Sequence, residues 1–186
     1  MSGDLVPTPG QTIGPFFGFA LPYAGGPDLV PSSHPDAVRL TGLVLDGAGD
    51  PVPDALVEIW QADAEGRIVS EPGSLHRDGW TFTGFGRAET DRAGRYSFTT
   101  IEPGPTTAGA PAYVAVTVFA RGLLDVLRTR AYLPDDERAL AADPLLSSLD
   151  ADRRRTLIAR RAADGLVFDI RLQGEDETVF LRYGDA

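Results

Sequence analysis

His34 and His76 are the two imidazoles in the chain, and cysteine is absent. Neither histidine belongs to a His-x-His, His-x3-His or His-x-x-Glu spacing, the arrangements by which neighbouring side chains converge on a metal ion. Each lies among Pro, Ser, Gly or polar residues and reads as a loop residue. Without cysteine there is no disulfide framework, no thiolate metal site and no Cys nucleophile. A Ser nucleophile would need an elbow such as Gly-x-Ser-x-Gly, and the sequence has none. Gly84-Phe85-Gly86 lacks the third glycine and the strand-to-helix setting of a dinucleotide loop, and no Gly-Lys-Ser/Thr phosphate loop occurs. The acids Asp135-Asp136 and Glu175-Asp176-Glu177 sit beside turns, where carboxylates are ordinarily solvated and make weak candidates for general acid or base work. Left to its own side chains the chain reads as catalytically empty.

The elements that would carry a site must come from one domain spanning 1–186, long enough for a core without disulfide or metal staples. No run approaches the roughly 18 to 20 apolar residues of a membrane span, and the start, Met1-Ser2-Gly3-Asp4-Leu5, has no basic region before an apolar one. The expected location is cytoplasmic. A net charge of −10 opposes nucleic acid or an anionic membrane surface as partner. All the cationic side chains other than histidine are Arg, and most read as solvated surface residues.

Periodicity predicts strands. Val38–Asp46 and Asp54–Ala62 flank the turn-forming run Gly47 to Pro53. Arg87–Thr90 and Arg95–Thr99 flank the polar turn Asp91-Arg92-Ala93-Gly94 and predict a hairpin. Tyr113–Phe119, Leu166–Leu172 and Thr178–Tyr183 are rich in Val, Ile, Phe and Tyr and complete the set. One short helix near 148–161 is expected, with Ser148 or Asp150 as its cap and an arginine-rich, solvated face. Many short strands with Gly/Pro turns and little helix predict an all-β, two-sheet sandwich. Residues 1–37 read as an irregular N-terminal arm, in which Phe16, Phe17 and Phe19 among Pro and Gly anchor the arm against an interface or the core.

Several blocks carry a family resemblance. Val57-Glu58-Ile59-Trp60-Gln61-Ala62-Asp63, the flanking Leu40–Asp46 and Ala64–Arg67, and Gly94-Arg95-Tyr96-Ser97-Phe98 resemble the signature of the intradiol ring-cleavage dioxygenases. Thr100–Pro105, Phe119–Gly122, Arg128–Tyr132 and Phe168–Glu175 extend the resemblance over nearly the whole chain. The resemblance implies an intradiol dioxygenase-like sandwich. It also implies a catalytic centre built around ferric ion held by two tyrosinates and two histidines, a hard anionic set suited to Fe(III). The matching positions in this sequence are Ile68, Thr106, Tyr113 and Ala115, and none keeps its expected ligand. Tyr113 and Ala115 lie two residues apart, the spacing that would put both on one face of a strand.

The resemblance therefore implies a chain that binds no cofactor of its own. It would pair with a homologous iron-binding β chain, non-haem Fe(III) sitting in that partner, as an αβ protomer of a larger oligomer. Thr12, Gly14, Pro15 and Arg130 would then line the partner's substrate cleft, with Gly14 allowing close backbone approach and Pro15 stiffening the turn. Arg130 would favour an anionic, carboxylated catechol and O2 would be the co-substrate; alternatively, Arg130 only bonds backbone carbonyls. Tyr113 would fill the vacated metal pocket. Two other readings stay open: a transthyretin-like β-sandwich binding module with no catalytic role, and a stand-alone dioxygenase with a rebuilt metal site.

Overall fold

The computed structural model describes Gly14, residues 16–71 and residues 77–182. Thr12, Pro15 and His76 lie outside the described residues. After a single helical turn, α1 (Phe17–Ala20), come the strands β1 (Val38–Leu45), β2 (Leu56–Trp60), β3 (Phe85–Glu89), β4 (Arg95–Thr100), β5 (Tyr113–Phe119) and β6 (Leu127–Tyr132). Three short helices follow, α2 (Glu137–Ala142), α3 (Pro144–Ser147) and α4 (Ala151–Arg155), and then β7 (Arg160–Ala162), β8 (Gly165–Val167) and β9 (Ile170–Arg171).

These strands form two sheets, one in the order β4-β1-β8-β7 with β9 also on β1, the other β3-β2-β5-β6. The second sheet is antiparallel throughout, whereas β8 and β9 run parallel to β1. Alternation decides which side chains enter the space between the sheets. Leu40 and Val44, Val57 and Ile59, Tyr96 and Phe98, and Val114, Val116 and Val118 all point inward into one core. The all-β, two-sheet sandwich is the observed architecture.

Within it, several elements depart from expectation. Arg87–Thr90 and Arg95–Thr99 do not form a hairpin, because β3 pairs with β2 and β4 pairs with β1. The turn itself is as read: Asp91 Oδ1 accepts from the Ala93 and Arg95 amides at 2.8 and 2.9 Å, and Gly94 takes φ +70°. Both strands bury alternate residues, Ala88 and Phe98 among them, but they do so from opposite sides of the core, so the turn arches from one sheet to the other. The run 166–172 is broken into β8 and β9. Beside the break Gly42 lies so close to the Phe168 carbonyl that a Cβ would collide with it. Residues 178–182 carry no assigned strand, although Thr178 N donates to Arg171 O at 3.0 Å and Leu181 N to Arg128 O at 2.7 Å.

The helix expected near 148–161 is only the short α4, and α2 and α3 precede it. Each is started by an aspartate: Asp136, Asp143 and Asp150 accept from the amides of Ala139, Leu146 and Arg153, all at 2.9 Å. α4 stops early because Leu157 and Ala159 are claimed by β6, with Tyr132 N donating to Leu157 O and Ala159 N donating to Tyr132 O. Leu140, Leu146, Leu157 and Val179 bury Tyr132 in a second small core. Of the α4 arginines, Arg155 is exposed, whereas Arg153 and Arg154 are only partly solvated, since Arg154 Nε donates to Leu146 O at 2.8 Å and Arg153 Nη1 to Glu177 O at 3.2 Å.

Candidate functional site

The outer face of the second sheet brings together three of the residues that sequence singled out, Tyr113, Ala115 and Arg130. Side chains paired across neighbouring strands share a face, and Trp60 pairs with Ala115, Ala115 with Arg130, and Tyr113 with Tyr132. The next row holds Arg87, Glu58, Thr117 and Arg128. Val114 and Val116, one residue out of phase, fill the core, so the same alternation that builds the sandwich turns Tyr113 and Ala115 outward together.

Arg130 does not reach freely into solvent. Its guanidinium lies 4.4 Å from the centroid of the Tyr113 ring, and Nη1 donates to the Tyr132 hydroxyl at 3.1 Å. The Tyr132 hydroxyl donates in turn to Asp143 Oδ1 at 3.3 Å, the same oxygen that caps α3. Burial pushes the Tyr132 phenol above its usual range, against the opposing pull of Arg130. The Tyr113 and Tyr132 rings meet at 5.5 Å in a tilted arrangement.

Ile68 and Thr106 come from two loops that touch. Asp63 starts the first: its Oδ1 accepts from the amides of Glu65 and Arg67, and its Oδ2 takes Arg67 Nε at 2.7 Å. Partial burial works to raise the Asp63 carboxyl, but these bonds hold it below its usual range. Gly66, at φ +80°, backs onto the Pro105 carbonyl, and Gly104 N donates to Asp63 O at 2.8 Å. Gln61 is buried between the same segments, with Nε2 donating to Ile101 O and Oε1 accepting from Thr100 Oγ1, each at 2.8 Å. The motif Trp60-Gln61-Ala62-Asp63 thus joins the end of β2 to the segment after β4. Ile68 and Thr106 both end up exposed.

The profile of a family described as Dioxygenase matches residues 14–174. The chain belongs to the intradiol ring-cleavage dioxygenase family. Among relatives of this family, it is 40% identical over 193 residues to the protocatechuate 3,4-dioxygenase alpha chain of Burkholderia cepacia, covering 95% of this chain and 97% of that protein. It is 34% identical over 185 residues to the beta chain from the same organism, covering 84% of this chain and 78% of that one. Of solved structures, the dioxygenase domain of a dioxygenase carbohydrate-binding fusion from Streptomyces sp. SirexAA-E superposes with a TM-score of 0.54 at 27% identity, over 91% of this chain and 100% of that domain.

At the four positions that the sequence resemblance matched to ferric ligands, the residues present here do not fit a ferric ion. Ile68 presents an alkyl side chain that is 79% exposed, and Ala115 has no donor atom. Thr106 offers a neutral, exposed hydroxyl. The Tyr113 ring is covered by a guanidinium whose positive charge opposes a second cation at the same place. Among the described residues no group of three or more His, Cys, Asp or Glu side chains is arranged to hold a metal ion, and no helix is long and apolar enough to cross a membrane.

Of the four residues expected to line a substrate cleft, two can be located. Gly14 is exposed, and among the described residues other than its chain neighbours nothing lies within 4 Å of where a Cβ would be. Arg130 is on the outer face, half-buried over Tyr113. Sequence reading missed a second set of groups on the N-terminal side: Tyr23, Glu58, Arg77 and Arg87, which hold the segment after α1 against β3. The one local signal was Glu58, a lone acid at an outward position of an otherwise apolar strand.

Proposed function

We propose that this chain is the alpha-type subunit of a protocatechuate 3,4-dioxygenase, pairing with an iron-binding beta-type chain and completing that partner's substrate cleft. The observation that carries the reading is the guanidinium of Arg130 seated over Tyr113, on the sheet face where an iron-binding relative would present two histidines. A chain whose own ligand positions are closed to a cation contributes by shape and charge. The partner's ferric iron would supply the O2 chemistry: the C–C bond between the two hydroxylated carbons of 3,4-dihydroxybenzoate breaks and each of those carbons gains one oxygen atom of O2, giving 3-carboxy-cis,cis-muconate, a step of aromatic catabolism.

In this reading residues 1–37 serve as the arm at the subunit contact, and Thr12, Gly14 and Pro15 form part of the cleft wall. Exposed Phe16, Phe19 and Trp60 supply apolar surface for the contact. Arg130 offsets the −10 charge of the chain near the cleft and favours entry of the substrate carboxylate. The αβ protomers assemble into a larger cytoplasmic oligomer. In the co-purified enzyme, Arg130→Ala is expected to raise KM for protocatechuate roughly tenfold, the scale of one lost charge-assisted contact. An unchanged KM would remove Arg130 from the cleft.

A further inference from the structure

The segment that leads from Gly14 into the sandwich is fastened at one point by an unusual concentration of cationic groups. Two guanidinium groups lie near the Tyr23 ring, with Arg77 Cζ 5.8 Å and Arg87 Cζ 5.7 Å from its centroid. Arg77 donates to Gly25 O and Gly26 O at 3.1 Å each, to the Tyr23 hydroxyl at 3.2 Å, to Thr83 Oγ1 at 2.8 Å and to Phe85 O at 2.6 Å. Arg87 donates to Leu21 O at 2.7 Å, and its other nitrogens grip Glu58 Oε1 at 2.6 and 2.8 Å in a pair whose side chains are only about one-sixth exposed, at 15% and 16%. The Arg87 amide also donates to Gly26 O at 2.9 Å.

This fastening is transmitted outward. Leu21 N donates to Phe17 O, Ala20 N to Phe16 O and Phe17 N to Gly14 O, so a continuous run of backbone bonds joins Gly14 to the residues held by the arginines. Phe17 adds a buried apolar anchor. Two guanidinium groups, each a rigid planar fork, fix backbone carbonyls in direction as well as distance, which a single apolar contact would not do.

We infer that Tyr23, Arg77 and Arg87 are positioning residues of the dioxygenase reaction: they set the trajectory of the arm and so hold the cleft-lining backbone at Gly14 against the partner's site. The inference rests on the proposed role of the arm in the partner's cleft. None of the three touches substrate. Loosening the clamp lowers the fraction of molecules with the arm in place and raises apparent KM by the inverse of that fraction, while turnover of the filled site is little changed.

The test is Tyr23→Leu in the co-purified two-chain enzyme, beside Tyr23→Phe, which keeps the ring against the guanidinium groups, and Gly14→Trp, which obstructs the cleft directly. Tyr23→Leu is expected to raise KM for protocatechuate roughly tenfold, equivalent to about 1.4 kcal/mol, with kcat within about twofold, and Tyr23→Phe to restore KM to within about twofold of the parent. Hydrogen exchange gives a readout independent of turnover: amides of residues 20–26 in Tyr23→Leu should exchange about tenfold faster while those of Val114–Val118 are unchanged. If Gly14→Trp raises KM but Tyr23→Leu leaves both KM and exchange unaltered, the clamp assignment alone is overturned. If Gly14→Trp also has no effect, the arm is not at the cleft and both readings fall.

Discussion

The Arg130 guanidinium stacks 4.4 Å from the centroid of the Tyr113 ring, on the outer face of the second sheet and directly across from Ala115 in register. In the proposed reading, an iron-binding relative has imidazole donors at that place. Here a cation that belongs to the protein, tied to Tyr132 and through it to Asp143, stands there instead. On that reading the chain lacks the ligands and also places its own positive charge where the metal would lie.

Restoring the histidines should not restore the metal. The double variant Tyr113→His/Ala115→His, purified alone from iron-containing medium, is expected to carry no stoichiometric iron, because Ile68 and Thr106 supply no tyrosinate and Arg130 remains. Elemental analysis checks this, and one iron per chain would show that the two imidazoles suffice.

Where several strands lie along the chain was legible in the sequence, because alternation of apolar residues is a local signal; β5 runs over the predicted residues, Tyr113–Phe119. How strands pair was less so. β3 and β4 alternate as hairpin strands do, yet each faces the core from a different sheet, and alternation cannot tell a hairpin from an arch. β6 escaped notice because Arg128 and Arg130 interleave with Thr129 and Ala131, giving alternation with little apolar content. At the candidate site, sequence marked Arg130 and Tyr113 separately, but their stacking needed the β5-β6 register. The clamp on Tyr23 was invisible because its members come from four separate stretches of chain.

Gly66 joins the loops that carry Ile68 and Thr106. Its φ of +80° disfavours any Cβ, and an added Cβ would strike the Pro105 carbonyl. Gly66→Ala is expected to cost about 2 kcal/mol or more. Urea denaturation of the co-purified protein reads this as a lower midpoint with an unchanged slope.

Acid should loosen the loop around Trp80. Asp78 accepts from the amides of Trp80 and Thr81 and from the Thr81 hydroxyl, and these bonds lower its carboxyl to about 2. A carboxyl held below its unfolded value of about 3.9 contributes stability above that pH and loses it as pH falls toward the folded value. Thermal unfolding should show the parent more stable than Asp78→Asn at pH 5, with the two converging between about pH 4 and pH 2. A constant difference over that range would mean the charge on Asp78 is not what matters.

The most direct test is iron content, measured together with the visible tyrosinate-to-iron absorption, of this chain purified alone and of the same chain co-purified with a homologous beta-type partner. Colour and iron in the paired sample only, accompanied by O2-dependent consumption of protocatechuate, is the predicted result. Stoichiometric iron and colour in the lone chain would contradict it and return the catalytic centre to this protein.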